Sequence, residues 1–502
     1  MSTDNYLALE NHTKTIRHLE NASHILGWDE QTMMPVGASD SRNQTLAALS
    51  QLIHQKLNSN DLKSMVDSVD VTKLDNWQQA NMKWIKKRLT DASIIPEKLV
   101  TELTLNQKQS EQAWRKLRAE NNYHDFIPYL EKTVNSVKEI AKIKAQYYNC
   151  SSYDALLDDY SPGITTSQID PIFSQLKAFL PDAIKQIINY QSQFKPIGFK
   201  QKFPLNQQKE LSHRLMNMIG FDFNHGRLDT AVHPFCGGIK GDVRITTRYN
   251  EDEFISSLMA VCHETGHAMY ELQLPQKWQY QPVGDALGMT VHESQSLLVE
   301  MHACRSMEFI SILSDIVKET FNYHDESFSK ENLYRHYTEV KAGLIRVDAD
   351  EVTYPLHVIL RYELEKALIN DEIAVNDLVH LWDEKMQSYL SRDTKGNYKD
   401  GIMQDVHWPA GLFGYFPAYA LGSMLAAQFY QAALKAKPEI PAAIAKGDFR
   451  VLMQWLKENV HSKASSLSFD ELVLSATNKV FEADDYINHI KSRYLSEVTT
   501  YA

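Results

Sequence analysis

Apolar residues return every three or four positions through the first half of the chain, a period that points to helices rather than strands. Around Tyr6 to His24, Leu7, Leu9, Ile16, Leu19 and Ile25 approximate one helical stripe, which Trp28-Asp29 and then Pro35 close. Segments 73–90, 96–120, 126–149 and 167–194 repeat the pattern, with Lys, Glu and Gln on the opposite faces. Tyr160-Ser161-Pro162-Gly163 reads as a turn, and Thr165-Thr166-Ser167 as the capped start of the next helix. One stretch changes period. From Gly241, Val243, Ile245, Thr247 and Tyr249 alternate with Asp242, Arg244, Thr246 and Arg248, which predicts a strand with one polar, positively charged face. Phe254, Leu258, Val261 and Cys262 resume helical spacing directly after it.

Composition agrees with a mostly α fold. Gly and Pro are scarce, 19 and 16 in 502 residues, and no linker, repeat or low-complexity tract divides the chain. One large helical body is therefore expected over 1–502. The net charge of -12 and the lack of a basic stripe argue against a nucleic-acid partner. No apolar run reaches the roughly 18 to 20 residues that span a bilayer, and the first residues lack the basic and apolar blocks of a secretion signal. Cys150, Cys236, Cys262 and Cys304 are scattered with no CxxC pair, so buried thiols in the cytoplasm are expected rather than a disulfide framework.

The chemistry centres on His263-Glu264-Thr265-Gly266-His267. Residues one helical turn apart share a face, so both imidazoles can reach one ion. Glu264 lies at the edge of that face, where it can take a proton from an attacking water without being a ligand. A catalytic zinc keeps three protein ligands and one open position. The third is expected from the next helix, after a loop from Pro275 to Gly288, in Val291-His292-Glu293-Ser294-Gln295-Ser296. Glu293 is the first choice, His292 and Glu300 are alternatives, and Asp285 is a remote one. Glu300 can also orient a ligating histidine. Zinc suits two imidazoles and a carboxylate, with cobalt or manganese as other occupants.

These residues stand in an order that resembles the carboxypeptidase Taq family, peptidase family M32. The signatures HExxH, HESQ, IRxxAD (Ile345 to Asp350) and GxxQDxHW (Gly401 to Trp408) follow one another as they do in that family. A further signature, DxRxT, matches Asp242-Arg244-Thr246 on the predicted strand. Leu26-Gly27-Trp28-Asp29, Tyr153 to Asp158, Gly226 to Asp229 and Phe413 to Pro417 extend the resemblance over nearly the whole chain. Two departures stand out: Val299-Glu300-Met301 where the family usually has Trp-Glu-Asn, and Ser161 where it usually has Glu.

The resemblance implies one M32-type domain over 1–502, a metallocarboxypeptidase with a deep groove and a small sheet near the metal, usually a homodimer acting on short peptides. Under it, His407 and one of Tyr415 or Tyr419 are suited to the oxyanion. Arg346 is the first candidate for the substrate carboxylate, with Arg244 second or placed at the far end of the peptide. Gln404 and Asp405 would shape the groove, Asp405 alternatively capping a helix. His233-Pro234-Phe235 reads as a turn without chemistry. Two rivals remain: a related helical zinc oligopeptidase or dipeptidyl carboxypeptidase, and a catalytically silent scaffold.

Overall fold

The apolar stripes fold as helices, some of them begun by a side-chain cap on their first N–H groups. In the computed structural model, which describes residues 2–496, Asn76–Ile94 starts at Asp75, whose carboxylate accepts the Gln78 N–H at 2.8 Å. The Gln78 side chain returns the bond to the Asp75 N–H at 3.1 Å. Glu97–Ala119, Ile127–Tyr148 and Thr166–Gln191 follow, within two or three residues of the predicted segments. Asn149 ends the Ile127–Tyr148 helix in the left-handed conformation, at φ 54°.

The first helix, α1 (Ser2–Thr32), runs further than expected and takes Trp28 and Asp29 inside it. Pro35 acts later, keeping the preceding residue out of the α region. The buried stripe of α1 is Tyr6, Leu9, Thr13 and Ile16, whereas Leu7 is 51% exposed. One position on from Tyr6, Leu7 is turned about 100° round the helix and points to solvent.

Three short strands interrupt the helices: β1 (Gly226–Thr230), β2 (Phe235–Ile239) and β3 (Asp242–Thr247), in the order β1-β3-β2. β1 runs parallel to β3 and β2 antiparallel to it. Val243, Ile245 and Thr247 are buried, as the alternation predicts. The opposite face is not an open cationic surface. Arg244 pairs with Asp242, with Nη2 at 2.6 Å from Oδ2, and the buried Thr246 hydroxyl accepts the Phe235 N–H at 2.9 Å. At Gly226 a Cβ would stand 2.1 Å from the Val243 carbonyl oxygen, so only glycine lets β1 approach.

Four helices frame the groove described below: α2 (Ile255–Gln273), α3 (Gly288–Leu297), α4 (Tyr354–Ile369) and α5 (Pro417–Ala436). α2 and α3 meet at Gly266, where a Cβ would lie 2.6 Å from the Gln295 carbonyl oxygen and from Ser296 Cα. α3 continues as a π-helical segment, Leu298–Cys304. α5 covers α3 through Gly422, whose missing side chain makes room for Glu293. One continuous apolar core runs through these elements. A smaller one, including Tyr6, Leu9, Leu62 and Met82, lies under the N-terminal helices. All four cysteines are free thiols, and no helix among the described residues is long and apolar enough to cross a membrane.

Two of the charged side chains of α4, Arg361 and Glu365, are fully buried. Arg361 donates to Asp405 through Nε at 2.9 Å. Glu365 accepts the Trp408 indole N–H at 2.7 Å, the Tyr153 hydroxyl at 2.8 Å and the Gly414 N–H at 3.0 Å. One carboxyl group thus pins both ends of the loop that bears His407 and Tyr415. Burial outweighs these donors and lifts its pKa from 4.5 to about 7.

Two predictions follow from this packing. Gly266→Ala forces α2 and α3 apart and lowers unfolding free energy by about 1–3 kcal/mol in denaturant titration; an unchanged midpoint contradicts the close approach. For Glu365 the unfolded carboxyl ionises near 4.5 while the folded one stays protonated to about 7. Its contribution is therefore full below the lower value and lost as pH rises through that window. The stability difference between wild type and Glu365→Gln should decline by on the order of 3 kcal/mol across it. A difference flat with pH contradicts the buried neutral form.

Candidate metal centre

His263 and His267 stand one turn apart on α2, and Glu293 enters from α3. One donor atom from each of the three lies within 4.8 Å of the other two. Donors about 2.1 Å from a tetrahedral ion stand roughly 3.4 Å apart. His267 Nε2 and Glu293 Oε2 are 3.4 Å apart, already at that spacing. Two imidazoles and one carboxylate, with one side facing the groove, form a donor set that fits a divalent cation with an open position.

Both histidines are held from behind. His263 Nδ1 lies 2.9 Å from Glu300 Oε2, leaving Nε2 for the centre, and Arg305 Nη2 donates to Glu300 Oε1 at 2.5 Å. Glu300 owes its position to the π turn, which shifts its side chain round the helix relative to a regular α continuation. His267 Nδ1 meets His292 Nδ1 at 2.6 Å, and His292 Nε2 lies 2.9 Å from Glu271 Oε1. Asp285 sits away from the three donors, paired with Lys240 at 2.8 Å and with Arg17.

The centre is a concentration of buried carboxylates around two imidazoles. Burial opposes charge on His263, but Glu300 and Glu293 outweigh it and lift its pKa to about 10. Burial, helped by His292 and His263, takes His267 down to about 4 against the pull of Glu293. Glu264 is raised to about 7, first by burial and then by Glu293, with His263 opposing. A carboxyl group poised there can change protonation near neutral pH.

A groove of about 840 Å³ opens over these groups, and its wall includes Glu264, Arg346, Tyr354, Tyr415 and Tyr419. A second cavity of about 580 Å³ lies behind Phe235, Cys236 and His292, against Trp28 of α1. Arg346 is 5% exposed. Its Nη2 donates to Asp405 Oδ1 at 2.9 Å and its Nη1 to the Tyr354 hydroxyl at 3.2 Å, and the guanidinium lies 4.8 Å over the Tyr419 ring. Asp405 is shared between Arg346 and Arg361, so the three together carry one net positive charge. Gln404 clips the chain behind Arg346, accepting the Arg346 N–H at 2.7 Å and donating to the Leu344 carbonyl at 3.0 Å.

His407 Nε2 lies 3.3 Å from the Tyr419 hydroxyl. Burial, with Arg346 and Arg361 adding to it against Asp405, takes its pKa to about 3 and keeps the ring neutral. Tyr415 packs edge-on to Tyr160 and is pushed up to about 12 by burial. Arg244 stands apart from the metal donors, 5.9 Å over the Trp28 ring. Arg361, Tyr354, Arg305, Glu271 and Glu365 belong to this surrounding and were not singled out from sequence. For Arg361 and Glu365 the available signal was a pair of opposite charges one turn apart, which Glu363 and Lys366 on the same helix obscure.

The sequence matches the family described as carboxypeptidase Taq (M32) metallopeptidase over residues 8–494. It is 35% identical to carboxypeptidase 1 of Bacillus subtilis over 485 residues, 96% of each chain. It is 34% identical to thermostable carboxypeptidase 1 of Thermus thermophilus over 489 residues, 95% of this chain and 96% of that one. Metallocarboxypeptidase 1 of Trypanosoma cruzi superposes with a TM-score of 0.96 at 36% identity, covering 98% of this chain and all of that one. The M32 carboxypeptidase of Deinococcus radiodurans gives 0.93 at 31%, covering 99% and 100%. By the family match over nearly its whole length, these identities and these superpositions, this chain belongs to the carboxypeptidase Taq (M32) family and is a metallocarboxypeptidase.

Proposed function

We propose that this metallocarboxypeptidase, one M32-type domain over 1–502, uses zinc to release single C-terminal residues from short peptides with broad specificity. The observation that carries the reading is the convergence of His263, His267 and Glu293 beside Glu264, in a groove lined also by Arg346, which belongs to a net positive cluster with Asp405 and Arg361. His263, His267 and Glu293 would hold the cation. A bound divalent cation supplies Lewis-acid polarisation of the scissile carbonyl and makes water easier to deprotonate.

The chain's own residues account for the rest. Glu264 takes the proton of the attacking water and passes it to the departing amine. Its place in the groove wall, buried beside the three ligands, suits both roles. Arg346 binds the substrate's terminal carboxylate. Asp405 does not cancel its charge, because Arg361 takes half of that carboxylate. His407, neutral and beside Tyr419, and either Tyr415 or Tyr419 donate to the developing oxyanion. Gln404 and Asp405 fix Arg346 from behind, and Arg244 meets the far end of the peptide. Cobalt or manganese could replace zinc. The scattered free thiols support a reducing compartment, the cytoplasm. A homodimer is proposed from the resemblance to the family.

Chelator-stripped protein should be inactive towards short peptides and regain activity with about one equivalent of zinc. The products should then be free C-terminal amino acids; dipeptides or internal fragments would point to an oligopeptidase. Glu264→Gln should keep one ion per chain while kcat falls about 10²- to 10⁴-fold. Wild-type turnover in that variant removes Glu264 from the base role.

A further inference from the structure

The two ligand imidazoles are supported by different chemistry. His263 hands its Nδ1 to a carboxylate, the common partner of a ligating histidine. His267 hands its Nδ1 to another imidazole, His292 at 2.6 Å, and the carboxylate, Glu271, comes one step later at 2.9 Å from His292 Nε2.

With His267 as a ligand through Nε2, only one proton arrangement satisfies this chain. His267 turns Nε2 towards Glu293, so a ligating His267 gives the lone pair of Nε2 to the cation and carries its proton on Nδ1. That N–H must donate, so His292 Nδ1 must accept and be bare. The His292 proton then sits on Nε2 and is donated to Glu271. The opposite tautomer of His292 would bring two N–H groups face to face at 2.6 Å with no acceptor.

The sequence builds the relay economically. His263, His267 and Glu271 are spaced by four on α2 and share one face, while His292 and the ligand Glu293 are consecutive on α3. Glu271 is half-buried, and its hydrogen bond to His292 and the Lys240 ammonium hold its carboxyl below the usual range against that burial. Lys240 is fixed by the Gly284 carbonyl at 2.7 Å and Asp285 at 2.8 Å.

We propose that His292 and Glu271 are positioning residues for the metal centre. Glu271 selects the His292 tautomer, and His292 accepts the His267 Nδ1 proton, so that His267 presents its Nε2 lone pair at a fixed angle beside Glu293. The inference rests on the reading of His263, His267 and Glu293 as ligands.

The test uses the full-length, chelator-stripped protein. Zinc is titrated in competition with a chromophoric chelator, and the visible spectrum of the cobalt-loaded protein is recorded. His292→Phe keeps a ring but offers no acceptor; it should weaken zinc binding about 10- to 100-fold and shift the cobalt bands. His292→Gln restores an acceptor and should stay within about threefold of wild type. Glu271→Gln, which no longer dictates the tautomer, should weaken binding severalfold. Unchanged affinity and spectrum in His292→Phe overturn the proposal. If that variant does not fold, unchanged affinity in Glu271→Gln overturns it instead. A wild-type chain that binds no ion overturns the ligand reading itself, an outcome distinct from either.

Discussion

Two helices can bring three ligands to one ion only if their backbones come close, and Gly266 sets that distance. It sits between His263 and His267, so the contact of α2 with α3 falls at the metal donors themselves. A side chain there would meet the backbone of Gln295 and Ser296, just beyond Glu293. Gly422 does the same from the other side, letting α5 pass over Glu293 with no room to spare. The three donors thus stand within 4.8 Å of one another because backbone contacts hold them there.

That proximity gathers charge that would be costly to bury unaided. Glu264, Glu293 and Glu300 lie within or beside the centre and are buried, and the half-buried Glu271 stands one step further out. The molecule offsets them in different ways. Glu300 and Glu271 have local cationic neighbours in Arg305 and Lys240. Glu293 is held low against burial by its hydrogen bond to His267 and by His263, and a bound cation would add to that balance. Glu264 stays close to neutrality. On the far wall the balance is reversed: Arg346 and Arg361 share one Asp405, and an excess positive charge remains where an anionic end group would fit.

Much of this was legible because the key constraints are local. Helical spacing puts His263 and His267 on one face, and a short return through Pro275 to Gly288 brings Glu293 across. Ordered motifs extend the same reading to Arg346 and His407. What escaped depends on contacts between distant segments. β1 and β2 are five residues each, and Gly237-Gly238 interrupts any alternation, so only β3 carries a readable period. Leu7 fits a stripe as well as Tyr6 does, and only packing decides between them. His292 is chemically as good a ligand as Glu293; its ring is turned to His267 Nδ1, which no spacing rule reports. The two departures from the family are absorbed in packing: Ser161 shares a hydrogen bond with Thr290 at 2.7 Å, and Val299 is buried in the core.

The most direct measurement of the central claim is a crystal structure of the zinc-loaded protein with anomalous data collected across the zinc edge. The metal-centre geometry predicts one strong anomalous peak about 2.0–2.2 Å from one nitrogen each of His263 and His267 and from a Glu293 carboxylate oxygen. A peak bound through His292 or Glu300 instead, or Glu293 turned away from an ion held by the two histidines alone, would contradict it.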